Sequence, residues 1–94
     1  MSKIFAVEYH YVTDQDETMA EVRPRHRAFN AELADRGLLL AAGPFVGTHD
    51  ALIVVRADDE AGALALLEED PFHQAGYINE RIPREWNPVI GVLA

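Results

Sequence analysis

The stretch from Leu38 to Ala57 sets the hardest constraint on this chain. Two apolar runs, LLLAAGPFV over residues 38–46 and ALIVVRA over residues 51–57, are separated only by Gly47-Thr48-His49-Asp50. Short runs rich in branched side chains, divided by a glycine-containing turn, predict two strands paired as a hairpin. Both are apolar on both alternating faces, so each face of the sheet they enter must meet a cover.

The remaining segments supply one cover. Residues 3–12, KIFAVEYHYV, read as a first strand, and residues 13–18, TDQDET, as a polar loop or a loose first turn. Met19, Val22, His26, Phe29 and Leu33 then recur at steps of three and four, the apolar stripe of a helix. Pro24 falls inside that stripe. Proline has no N–H and disfavours helix at the residue before it. Either the helix begins near Pro24, where proline is welcome, or a longer helix kinks there. Gly37 is placed to end it. Asp58 is a suitable N-cap for a second helix over 59–69, with Ala61, Leu64, Ala65 and Leu67 on its apolar side. Asp70-Pro71 starts a short turn through Gln74, and Gly76 breaks it. Residues 77–86 read as a fourth strand, and residues 89–93, VIGVL, as a candidate fifth.

The order is βαββαβ. Two split βαβ units of this kind give an α+β ferredoxin-like sandwich, here as a single domain over residues 1–94. Helices cover one face of such a sheet. The second cover is expected from the same face of a second copy, a homodimer, which also suits a chain too short to bury a large core.

Charge and composition remove other classes. The formal net charge is −8 and the 8 basic residues make no long run, so no nucleic acid or anionic membrane is expected as a partner. The chain has no cysteine, which excludes disulfides, thiolate metal sites and a cysteine nucleophile. The four histidines show no HxH or HxxxH spacing, and no metal is expected. No GxGxxG, P-loop or GxSxG motif occurs, so no cofactor is expected either. The first residues enter a strand pattern without a signal-peptide pattern, and a cytoplasmic protein is the expectation.

Two residues carry the candidate chemistry. His26 lies on the inward stripe of its helix. It fits either a half-buried ring bonded to a backbone group or a general base. If the helix began near Pro24, His26 would lie in its first turn, where the positive helix end keeps the ring neutral; a carboxylate partner would oppose that effect. Asp70 precedes a proline as an ordinary helix cap. Capping and orienting a histidine are compatible, because a carboxylate has several acceptor sites. His10 alternates with Glu8 on the first strand, where it either lines a pocket or sits at a solvated strand end. His49 falls in a turn and His73 close after Asp70. Trp86, Phe45, Phe72 and Tyr77 suit the core or a sandwich around an aromatic ligand.

Taken in order, several segments resemble the YCII-related family over nearly the whole chain. They are Arg23-Pro24-Arg25-His26, the run from Gly37 to Phe45, Ala51-Leu52-Ile53-Val54-Val55, and Asp70-Pro71-Phe72 leading to Ala75-Gly76. The resemblance implies a dimeric α+β barrel, related in fold to muconolactone isomerase and cofactor-free monooxygenases. It implies that His26 and Asp70 are the family's His–Asp dyad. Arg23, Pro44, Phe45 and Phe72 from the same segments, with His10, become the substrate-binding candidates. The family includes hydrolytic, isomerising and eliminating enzymes, among them a dehydrochlorinase of chlorinated hydroxyquinols. The short connection between strands two and three leaves out an insertion found in some relatives.

The expectation is therefore a cofactor-independent lyase or isomerase that transfers a proton on a small hydroxylated aromatic or enolisable substrate. A non-catalytic dimer that binds a small molecule or a partner is the alternative from another class. A cofactor-free monooxygenase is a third.

Overall fold

Every second residue of the first strand, Phe5, Val7 and Tyr9, is buried, and the sheet is built outward from that row. The computed structural model describes residues 2–94. Its elements are β1 (Lys3–Tyr11), α1 (Asp16–Asp35), β2 (Leu39–Pro44), β3 (Asp50–Ala57), α2 (Glu60–Leu66), α3 (Pro71–Gln74) and β4 (Ile78–Trp86). The four strands form an antiparallel sheet in the order β2-β3-β1-β4, the strand order of a ferredoxin-like fold. Register explains the two faces. Phe5, Val7 and Tyr9 stand opposite Val55, Ile53 and Ala51 and join Leu33, Leu39, Ala63 and Leu67 in the core under the helices. The alternate residues face away from the helices: Ala6, Glu8 and His10, with Val54, Leu52 and Asp50 opposite them and Arg84, Ile82 and Glu80 on β4. That open face is mixed, with an apolar centre and a charged end.

The helix α1 resolves the two possibilities left by Pro24. It starts at Asp16 and runs through the proline. Asp16 and Glu17 favour its N-terminus through the helix dipole. Met19 and Val22 on one side of Pro24 and Leu33 on the other are buried, so packing holds both halves despite the missing N–H. His26 therefore lies in the middle of the helix, away from the positive end. At the far end, Gly37 has φ 75°, its N–H bonds Ala34 O at 3.0 Å, and the Leu38 N–H bonds Leu33 O at 3.0 Å. This is a Schellman closure, in which glycine takes the left-handed conformation at no steric cost.

The second strand stops at Pro44, so Phe45 and Val46 fall in the turn, and other boundaries also differ from expectation. The cap of α2 is Asp59, not Asp58: the Asp59 carboxylate accepts the Gly62 N–H at 2.7 Å, while Ala57 still belongs to β3. The helix ends at Leu66, three residues early, because Leu67, Glu68 and Asp70 donate to carbonyls three residues back and tighten the chain toward Asp70. Residues 89–93 form no strand. Val89, Ile90 and Val92 are 72%, 90% and 101% exposed, Pro88 precedes them without a donor, and Gly91 turns the chain at φ 107°. β4 is thus an edge strand of a four-stranded sheet.

Candidate functional site

The site begins with a capping bond. Asp70 is the N-cap of α3, and its Oδ1 accepts the Phe72 N–H at 2.9 Å. The same oxygen accepts from His26 Nδ1 at 2.7 Å, across 44 residues of sequence. Asp70 is 0% exposed and the His26 side chain 12%. Capping and orienting are therefore done by one atom. Phe72 binds the pair a second time: its ring lies parallel to the imidazole, 4.1 Å between centroids and 10° between planes. Tyr11 and Tyr77 meet the Phe72 ring edge-on at 5.7 and 6.1 Å, which fixes its plane.

This geometry decides the tautomer. An ionised carboxylate only accepts, so the neutral ring carries its proton on Nδ1 and its lone pair on Nε2. The Asn30 Nδ2, one helical turn on, lies 3.4 Å from Nε2, a weak contact that a better partner can displace. Asp70 Oδ2, Asn30 Oδ1 and the Tyr9 hydroxyl are buried without a hydrogen-bond partner. Burial, reinforced by the charge of Asp70, pushes the Tyr9 and Tyr11 phenols far above their ordinary range. Both stay protonated at any working pH and can donate but not act as bases.

A cavity of about 860 Å³ opens between α1 and the β2–β3 hairpin. Such a volume suits a small organic ligand. His26, Asn30 and Phe72 line it, with Arg23 and Arg27 from α1 and Pro44 from β2. Of the expected substrate-binding residues, Arg23, Pro44 and Phe72 thus reach the cavity. Phe45 and His10 do not line it. Phe45 is in the turn after β2 and 43% exposed, and His10 is on the open face of the sheet. His10 is held there by two carboxylates: Nδ1 bonds Asp50 at 2.8 Å and Nε2 bonds Glu8 at 3.1 Å. The bond to Asp50 chiefly, with that to Glu8, raises its pKa against partial burial. Trp86 also is exposed, whereas Tyr77 packs beside Met19, Val22 and Phe72. His73 bonds Glu68 at 3.2 Å, which holds that carboxyl below its usual range, with help from Arg81.

Among the cavity residues not read from the sequence as site residues are Arg27, Asn30 and His49, the last 3.4 Å from an Asp16 carboxylate oxygen. Arg27 and Asn30 follow Arg23 and His26 by four positions, so the full helix α1 is the signal that finds them. Among the described residues no group of three or more His, Asp or Glu side chains is arranged to hold a metal ion. Nor is any helix there long and apolar enough to cross a membrane.

A family model of the YCII-related domain matches residues 4–87. No curated protein matches the chain in sequence. Among solved structures the chain is similar to 5-chloro-2-hydroxyhydroquinone dehydrochlorinase (TftG) from Burkholderia phenoliruptrix AC1100, solved in complex with 2,5-dihydroxybenzoquinone. The two chains share 17% sequence identity and a TM-score of 0.77, over 89% of this chain and 93% of the other. At that identity the likeness is one of fold.

Proposed function

The chain belongs to the YCII-related family, and from that premise we propose that it is a cofactor-independent lyase or isomerase whose base is His26, oriented by Asp70. The observation that carries this reading is the 2.7 Å bond from His26 Nδ1 to a fully buried Asp70, which turns the lone pair of Nε2 into the ring's one available base. Nε2 takes a proton from a hydroxyl or an acidic carbon of a small aromatic or enolisable molecule. Asp70 stabilises the imidazolium without taking the proton itself. The imidazolium then returns the proton at another atom, which is isomerisation, or the intermediate expels a leaving group, which is elimination.

On a chlorinated hydroxyquinol, the electron pair of the deprotonated oxygen moves into the ring and the chlorine-bearing carbon takes up a proton. A second hydroxyl then gives up its proton, its electron pair moves through the ring, and chloride leaves with the C–Cl pair. The sum is loss of HCl, and no outside oxidant is consumed. General acid–base catalysis supplies on the order of 10²–10⁴ in rate, so positioning in the cavity must supply the rest. The same reading includes a homodimer, in which the open sheet face of one copy meets that of another.

The test is chloride release from a chlorinated hydroxyquinol with and without oxygen, for wild type, His26→Ala and Asp70→Asn. Wild type should turn over without oxygen. His26→Ala should lose about 10²–10⁴-fold. Asp70→Asn keeps a capping oxygen, since Asn caps about as well as Asp, and should lose rate at a nearly unchanged melting temperature. A His26→Ala protein as fast as wild type ends the proposal. Tight binding without turnover would favour the non-catalytic binding dimer instead.

A further inference from the structure

The acidic chain concentrates positive charge at one place. Three of its 8 Lys and Arg residues are Arg23, Arg25 and Arg27, within five positions of α1. Arg23 and Arg27 are one helical turn apart on the side that lines the cavity, and Arg25, exposed, is not part of the lining. Like charges at that spacing repel each other. The helix offers no relief: the positions three and four residues from either arginine hold Met19, Ala20, Pro24, His26, Asn30 and Ala31. Among the described residues neither arginine forms an ion pair or a side-chain hydrogen bond. Two acidic residues also line the cavity: the Asp50 side chain bonds His10 on the open face at 2.8 Å, and Asp16 approaches His49 at 3.4 Å. The cavity wall thus carries two guanidinium groups free to bind what enters.

We propose that Arg23 and Arg27 form an anion subsite, and that the molecule placed beside His26 carries a negative charge of its own, as a carboxylate or an acidic enol oxygen. The inference rests on the reading above for where the reacting proton lies, and it adds the class of substrate. A guanidinium presents paired donors that match the two oxygens of a carboxylate or of an ionised hydroxyquinone. Arg23 is half-buried and Arg27 exposed, so Arg23 anchors the bound anion and Arg27 closes over it from the solvent side. Once His26 removes a proton, the substrate gains a further negative charge, and the same two groups stabilise it. In a protein of net charge −8, this subsite also provides the local attraction that an anion needs to approach at all.

The probes are 2,5-dihydroxybenzoquinone, a vinylogous acid that is anionic at neutral pH, and its uncharged dimethyl ether. Both are titrated calorimetrically into wild type, Arg23→Gln, Arg27→Gln, the double variant, His26→Ala and the control Arg25→Gln. The anion should bind wild type and Arg25→Gln alike, and weaken roughly tenfold for each cavity arginine removed. Affinity should fall with added salt, and the ether should bind more weakly and indifferently to the arginines. Anion binding retained by the double variant overturns the inference. So does an ether that binds wild type as tightly as the anion, or a wild type that binds neither. The two readings fail separately. Unchanged anion binding by the arginine variants, together with turnover lost in His26→Ala, removes the subsite and leaves the proton transfer. Arginine-dependent binding with no turnover in any protein does the reverse.

Discussion

His10 shows what a single residue can report. Its ring is bonded at both nitrogens to acceptor-only groups, Asp50 and Glu8, and both bonds are satisfied only when the ring is charged. Glu80 stands opposite it on β4. Its pKa is raised in the folded protein, so the stability it contributes is complete below the ring's unfolded value and is lost as pH rises through the folded one. His10→Gln should therefore lower the melting temperature more at about pH 5.5 than at about pH 9, relative to wild type. Thermal melts at both pH values check this, and an equal deficit at both would mean that the charge contributes nothing. At this scale the sequence reading was uneven for a physical reason. The helix stripe that holds His26 and the cap position of Asp70 were legible as local motifs, but their pairing was expected only from the family resemblance, because a separation of 44 residues says nothing about distance. Arg27 and Asn30 were not legible, because a charged and a polar residue on a helix are ordinary solvent-facing residues until the helix's partner elements are known. Phe45 was read as lining the site, yet the turn carries its ring outside the cavity.

At the scale of elements, α1 keeps a proline in its ninth position, where the Pro24 ring removes one backbone hydrogen bond. Pro24 is exposed, so Pro24→Ala removes little packing. Restoring that bond should stabilise the protein by about 1–2 kcal/mol, the helix gain of about 3 being reduced by the unfolded chain's greater freedom and by the native fit around proline. A chain of this size would melt several degrees higher. A fall in melting temperature would show that the proline is part of how α1 seats its residues. Element type was legible nearly throughout, because strand and helix periods differ plainly in segments such as residues 51–57 and 19–33. What misled were local signals without tertiary context. Asp58 and Asp59 are equivalent caps on paper, and only the end of β3 at Ala57 selects the second. VIGVL has strand composition, but among the described residues it has no strand beside it.

For the whole molecule, the open sheet face is the feature that a single chain leaves incomplete. Val54 on that face is already buried in the single chain at 3% exposed, while the half-buried Ala6, Leu52 and Ile82 beside it are what a second copy would cover. Leu52→Lys, which puts a charge there, should turn a dimer of 10.5 kDa subunits into monomer or aggregate at micromolar concentration. Analytical ultracentrifugation decides it, and a well-folded wild-type monomer would exclude the sheet-face dimer. The strand order also has a consequence for synthesis. β1 is synthesised before both its neighbours, β3 beginning at Asp50 and β4 at Ile78. During translation the row Phe5, Val7 and Tyr9 has neither edge paired until β3 is made, and its second edge waits for β4. A nascent chain stalled before Ile78 would present an aggregation-prone edge, the kind of intermediate that chaperones bind, while the completed chain presents none at β1.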